Sequence, residues 1–200
     1  MLNEIYMLDL LGTFAFATYG SYFAIKKKFD IFGVFVCAFL TALGGGTIRE
    51  LFLGNVPFYF YDNNYVFTII SAIVFSIVAY NLFYKINKGM LVVDSVGLVT
   101  FAFIGASKAN ELGLGFFAIV FCATITAIGG GMLRDIAMNT MPEILYHDFY
   151  ASVAILFGVV YAACGGYRED MRYVYVLLFS CFVLRLAAIK YKLNLWRPWR

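Results

Sequence analysis

The stretch FVCAFLTALGGGTIRE at residues 35–50 returns as VFCATITAIGGGMLRD at residues 120–135, an offset of 85 positions. The register continues without gaps on both sides. Asp9 is matched by Asp94, Gly12 by Gly97, Phe16 and Ala17 by Phe101 and Ala102, and Gly20 by Gly105. Downstream, Pro57 is matched by Pro142 and Tyr65 by Tyr150. Apolar helices share residues by chance, but three glycines followed by an Arg-acid pair in one register are beyond chance. A fixed internal period means that one structural unit is used twice.

The unit is a set of membrane spans. Of the 200 residues, 63% are hydrophobic and only 14% are charged, and mean hydropathy is +0.84. A soluble domain carries about a quarter charged residues, and one of this size leaves too many side chains at its surface to hide so much apolar area. Lipid is therefore the expected solvent. Seven apolar runs are legible: Ile5–Ile25, Ile31–Leu53, Tyr65–Tyr84, Leu91–Ser107, Leu114–Met138, Tyr150–Cys164 and Tyr173–Ile189. Most approach the roughly 20 residues that a helix needs to cross a bilayer. They are separated by turn-forming sequences, among them Asn55 to Pro57, Asp62 to Asn64, Lys88-Gly89, Met141 to Glu143 and Gly165-Gly166.

Each repeat holds three spans. An odd number reverses the second copy, so an all-α membrane protein with two inverted three-helix repeats and a seventh helix is expected. The divisions would be 1–88, 89–168 and 169–200. One set of loops carries Lys26, Lys27, Lys28, Lys85 and Lys88, and the tail adds Lys190, Lys192, Arg197 and Arg200. The opposite set carries Lys108, Arg168 and Arg172, offset in part by Glu111, Glu169 and Asp170. Positive charge stays on the cytoplasmic side, which places the N-terminus outside and the C-terminus in the cytoplasm. The basic cluster follows the first apolar run, whereas a cleavable signal has its positive region in front. A retained first helix is expected.

Gly44, Gly45 and Gly46, with Gly129, Gly130 and Gly131, are the strongest candidate site. Each glycine costs a helix about 1 kcal/mol relative to alanine. One reading is close approach of neighbouring helices across small residues. The other is a kink that turns backbone carbonyls towards a shared aqueous route, tolerable in hydrocarbon only where it faces protein or water. The two are compatible. Arg49-Glu50 and Arg134-Asp135 follow within a turn. They either line and gate an ion path or form neutralised pairs holding the helix ends. Thr41 and Thr126 lie one turn before the glycines, offering hydroxyls to that face or bonding their own helix.

Other residues favour structural roles. Asp9 and Asp94 are expected near the starts of their helices, complementing the dipole. Arg185 is expected to snorkel towards Lys190 and Lys192. Trp196 and Trp199, and on the other side Tyr59, Tyr61 and Tyr65, suit the membrane interface. His147 beside Asp148 is a lone loop histidine. Cys37, Cys122, Cys164 and Cys181 sit inside apolar runs without a C-x-x-C pair and are expected as apolar fillers.

Two three-helix repeats, each with G-G-G-x-x-R-[DE] on its second helix, and a seventh span resemble the prokaryotic branch of the trimeric intracellular cation (TRIC) channels along the whole chain. The resemblance implies a homotrimer in which each subunit carries a potassium-permeable pore between its kinked second and fifth helices, at the two glycine triplets. Nearby polar and charged groups would gate it. Animal members carry further basic residues, linked to phosphoinositide binding, on the fifth helix; here that helix offers only Arg134. Some bacterial relatives are labelled glycine transporters, and an inverted repeat serves a secondary transporter equally well. No cofactor, metal site, nucleic-acid partner or obligate protein partner is expected. The permeant would be K+ or Na+, with membrane lipid as a compatible ligand. No nucleophile–base pair or phosphate loop points to an enzyme.

Overall fold

Seven α-helices account for nearly all of the residues described in the computed structural model, namely 2–85, 89–145, 149–165 and 170–193. They are α1 (Leu2–Lys26), α2 (Ile31–Leu53), α3 (Asn64–Lys85), α4 (Gly89–Glu111), α5 (Phe116–Ala137), α6 (Tyr150–Ala163) and α7 (Met171–Tyr191). Short 3-10 turns at Phe58–Phe60 and Glu143–Leu145 follow α2 and α5 at equivalent repeat positions.

Helix boundaries follow local chemistry. The Lys27–Asp30 turn ends in a cap, where Asp30 Oδ1 accepts the Gly33 amide at 2.7 Å. At the other end of α2, Gly54 adopts φ +72° and its amide closes on the last carbonyls. Gly113 (φ +68°) closes α4, which is longer at both ends than the expected Leu91–Ser107. Its extra last turn, Lys108 to Glu111, carries a 3.5 Å ion pair at its surface. Lys88, His147, Asp148, Gly166, Arg168, Glu169, Trp196, Arg197, Trp199 and Arg200 lie outside the described residues.

Five helices, α2, α3, α4, α5 and α7, are long and apolar enough to cross a membrane. The other two depart for different reasons. At 14 residues α6 reaches only about 21 Å at ~1.5 Å per residue. Helix α1 is long enough, but its middle faces protein. Thr13, Thr18 and Ser21 are buried alongside Ala15, Ala17 and Ala24, so hydroxyls are tolerated there. The outward helices show the reverse pattern: Val78 on α3 and Phe117 on α5 are each 80% exposed, as lipid as solvent requires.

Helices α1 and α4 form the centre, in contact with each other. In the first unit α1 packs against α2 and α3; in the second α4 packs against α5 and α6. Helix α7 rests on α4 and α6, and α2 meets α5 in one of the largest contacts of the molecule. The first residues of α1 and the last of α4 line one common cavity, so these two equivalent helices run antiparallel. That is the inversion expected from three spans per unit. The end of the molecule where α1 begins is called proximal here, and the opposite end distal. Cys37, Cys122, Cys164 and Cys181 remain thiols.

Candidate functional site

The glycine triplets meet at the α2–α5 crossing. Both helices stay α-helical through them, so the backbone is not opened and helical bonding continues. What the glycines provide is proximity. A methyl on Gly45 would overlap the Thr126 carbonyl, and one on Gly130 would overlap the Thr41 carbonyl. Gly44 and Gly129 repeat the reciprocity: a Cβ at Gly44 would meet Gly130 Cα at 3.3 Å, and one at Gly129 would meet Gly45 Cα at 3.1 Å. The third glycines differ. Gly46 lies under the Phe58 ring, whereas a Cβ at Gly131 would find only Arg134 Nη2, at 4.0 Å.

Thr41 and Thr126 are buried, and each hydroxyl donates to the carbonyl four residues back, Cys37 O and Cys122 O, at 2.6 Å. That bond binds the donor to its own helix, and the oxygens press on Gly20 and Gly105 of the central helices. Thus the self-bonded reading of these threonines is the observed one.

Just past the glycines lie two buried ion pairs. Arg49 donates from Nε and Nη2 to Glu50 Oε1, at 2.9 and 2.5 Å, and Asn55 Nδ2 holds Glu50 Oε2 at 3.0 Å. Arg134 Nε donates to Asp135 Oδ1 at 2.8 Å, and the Glu143 amide donates to Asp135 Oδ2 at 3.0 Å. All four side chains are under a tenth exposed. Arg49 faces the Phe58 ring at 5.8 Å, and Arg134 sits over Tyr19 at 4.9 Å and Phe23 at 5.4 Å.

Asp9 and Asp94 do not sit at helix starts. Both are buried well inside the first helix of their unit, where the end dipole has faded. Tyr65 donates its hydroxyl to Asp9 Oδ2 at 2.8 Å, and Tyr150 to Asp94 Oδ1 at 3.0 Å. Tyr65 is therefore no interfacial anchor, because its ring is buried to reach that acid. Tyr59 is half-buried and within 3.1 Å of the Thr47 hydroxyl, while Tyr61 is 78% exposed. Arg185 does not snorkel. It is buried, with its guanidinium 4.7 Å from the Tyr150 ring centre, where cation–π attraction and the charge of Asp94, the acid that Tyr150 bonds, favour it. Hydropathy and helix-end chemistry do not pair these acids with these tyrosines, but the repeat carries a signal: both acids and both tyrosines are repeat equivalents with the same separation of 56 residues.

Around this shared skeleton the two ends differ. Asp9, Arg49, Glu50 and Tyr65 line a proximal vestibule of about 520 Å³, with Lys108 and Glu111 also on its wall. At the distal end Arg134, Asp135, Glu143 and Tyr150 line a pocket of about 10 Å³, at the lower limit for one water. Four repeat-equivalent differences account for it. Where the distal end has Tyr19, Phe23, Lys27 and Glu143, the proximal end has Ile104, Lys108, Leu112 and Phe58. The two distal aromatics cover Arg134, the Tyr19 hydroxyl reaches Glu143 Oε2 at 3.5 Å, and Lys27 Nζ ties down Met138 O at 3.0 Å. The distal mouth is filled by the protein's own side chains.

This architecture has solved counterparts. A structure described as the structural basis for conductance through TRIC cation channels is 35% identical, with TM-score 0.85, covering 96% of this chain and 95% of that one. The chain belongs to the prokaryotic TRIC family. A prokaryotic TRIC channel crystallised in 0.5 M KCl is 33% identical with TM-score 0.85, covering 98% of this chain and all of that one. The TRIC orthologue of Rhodobacter sphaeroides is 29% identical with TM-score 0.87, over 94% and 98% of the two chains. A family model described as Glycine transporter matches this TRIC chain twice, at residues 6–81 and 91–165. Among relatives, the UPF0126 inner membrane protein YadS of Escherichia coli K12 is 35% identical over 96% of this chain and 94% of its own. A UPF0126 membrane protein of Vibrio cholerae is 33% identical over 96% and 81%.

Proposed function

We propose that this protein is a monovalent cation channel, permeable to potassium, with its path inside each subunit at the α2–α5 crossing. The observation that carries this reading is the likeness, along the whole chain, to solved TRIC cation channels at 35% identity. The geometry is compatible with it. A polar vestibule beside Arg49-Glu50 and a nearly filled pocket beside Arg134-Asp135 flank a crossing where only glycines separate two backbones. Separation of α2 from α5 there would present the Thr41 and Thr126 carbonyls to a passing ion, and carbonyl oxygens replace part of a cation's hydration shell. In this state the glycines seal the path. The roles assigned are thus Gly44, Gly45, Gly129 and Gly130 as the constriction, with Gly46 and Gly131 on its flanks, Thr41 and Thr126 as carbonyl donors to the ion, and Arg49, Glu50, Arg134 and Asp135 as polar walls and gates.

The working unit in this reading is a homotrimer in the inner membrane, with the proximal end outside and the distal, lysine-bearing end in the cytoplasm. Purified protein in planar bilayers should pass potassium current with no second solute. Liposomes electrically silent at all voltages, with correctly folded trimer, overturn the reading.

The family description favours one alternative, a slow carrier of a small solute such as glycine. A carrier gives saturable uptake and counterflow of labelled solute. A channel gives neither.

A further inference from the structure

The charges on the wall of the proximal vestibule do not cancel. Among its lining residues Asp9, Glu50 and Glu111 are acidic, and Arg49 and Lys108 are basic. Arg49 is occupied by Glu50, through Nε and Nη2, and Lys108 pairs with Glu111 at 3.5 Å. Asp9 is left over. Its Oδ2 accepts from the Tyr65 hydroxyl, a neutral donor, and its Oδ1 has no hydrogen-bond partner among the described residues. The charges that act on it, Arg49 and Glu50, have opposite signs. The repeat equivalent, Asp94, also keeps an oxygen without a partner among the described residues, but its electrical surroundings differ. Two cations, Arg185 and Arg134, act on it against one acid, Glu143, and it is not among the residues lining the distal pocket. Arg185 comes from α7, which has no counterpart in the repeat.

A surplus charge on the wall of a cleft bounded by low-dielectric protein focuses its field into the cleft. Paired charges largely cancel a short distance away, so in this chamber of about 520 Å³ the field that remains is that of Asp9. It attracts a cation and repels an anion. Salt screens it over roughly 10 Å at 0.1 M, so it acts on ions inside the chamber and not on those in bulk. We propose that Asp9 sets the preference of this protein for cations over anions, acting in the vestibule before an ion reaches the α2–α5 crossing. The assignment rests on the channel reading and gives its charge selectivity to a residue on α1, outside both glycine-bearing helices.

The test is the reversal potential of the full chain in planar bilayers across a potassium chloride gradient, in mildly alkaline buffer that keeps carboxylates ionised. It reads the cation-to-anion permeability ratio. Asp9→Asn keeps an acceptor for the Tyr65 hydroxyl and removes the charge. It should lower the ratio roughly tenfold, about what one unit charge does to cation against anion at a few ångströms in water. Wild-type conductance should exceed that of Asp9→Asn at low salt and converge with it at high salt, where the field is screened; a merely loosened wall has no such salt dependence. Asp94→Asn, which removes the equivalent carboxylate, should leave the ratio where it is. Lys108→Gln, at a partly exposed side chain, leaves Glu111 unbalanced and should raise the ratio. A wild-type reversal potential in Asp9→Asn, or an equal fall in Asp94→Asn, overturns the assignment and leaves the channel reading standing. Silent bilayers with correctly folded wild-type trimer overturn both. Where Asp9→Asn does not fold, Lys108→Gln decides: a ratio that stays the same or falls overturns the proposal.

Discussion

At the residue scale, the glycine triplets are not equivalent positions in a flexible run. Gly45 and Gly130 each receive a carbonyl from the opposite helix, while a methyl on Gly131 would only touch the Arg134 guanidinium, at 4.0 Å. Gly45→Ala and Gly130→Ala should therefore each destabilise by about 1–3 kcal/mol, the usual range for overpacking, because the added methyl meets rigid backbone. Gly131→Ala should be neutral or slightly stabilising, since alanine is the better helix former by about 1 kcal/mol. Melting temperatures in one detergent would separate the three, and equal losses would contradict the reciprocal crossing. The acid–tyrosine pairs make a second residue-level case. Tyr65→Phe and Tyr150→Phe each remove the hydroxyl that bonds a buried aspartate. Leaving such a group short of a partner costs about 1–3 kcal/mol, so both variants should melt lower than wild type. A matching loss from Tyr61→Phe, at an exposed ring, would argue for a general effect of removing tyrosine hydroxyls.

At the element scale, helix ends were readable and helix surroundings were not. Asp30 sits in a turn ahead of an apolar run and caps α2 through the Gly33 amide. Asp30→Ala should cost roughly 1 kcal/mol, as loss of an N-cap does, detectable as a modest fall in melting temperature with the oligomer unchanged. Asp9 is the contrary case. A single acid in the first turns of an apolar run suits a helix start, but the helix begins at Leu2 and buries Asp9 against Tyr65. Span-by-span reading could not reveal a partner two helices away. Arg185 fails for the same reason: a cation near a basic helix end suits snorkelling until α6 supplies the Tyr150 ring. The short α6 and the hydroxyl-bearing α1 show that span length and polarity reflect neighbours as well as lipid.

At the scale of the whole molecule, the repeat is symmetric in backbone and asymmetric at its mouths. The distal closure depends on Tyr19, Phe23, Glu143 and Lys27, whose repeat counterparts are Ile104, Lys108, Phe58 and Leu112. Under the channel reading, Tyr19→Ile should raise open probability several-fold by uncovering Arg134, without changing ion preference. Single-channel records from bilayers would show it. An unchanged open probability would place the gate elsewhere, at the glycine crossing itself. Glu143→Gln is a finer probe, since it keeps the backbone bond from the Glu143 amide to Asp135 and removes only the charge beside Arg134.

The 85-residue period, the apolar runs and their parity fixed the class of fold from the sequence alone. The reason is physical: lipid requires every backbone polar group to be met internally, apolar runs of about 20 residues meet theirs within a helix, and counting spans then comes close to describing the architecture. The same reading located the glycines and the Arg-acid pairs. It left open whether the glycines break the helix or let helices touch, because both demand the same residue. Tertiary packing decided that, placing Gly45 and Gly130 under opposing carbonyls. It also decided which acid meets which tyrosine, where Arg185 goes, and why one mouth is a chamber and the other is filled. Those outcomes depend on side chains from helices far apart in the chain, and a hydropathy pattern carries no information about which of them meet.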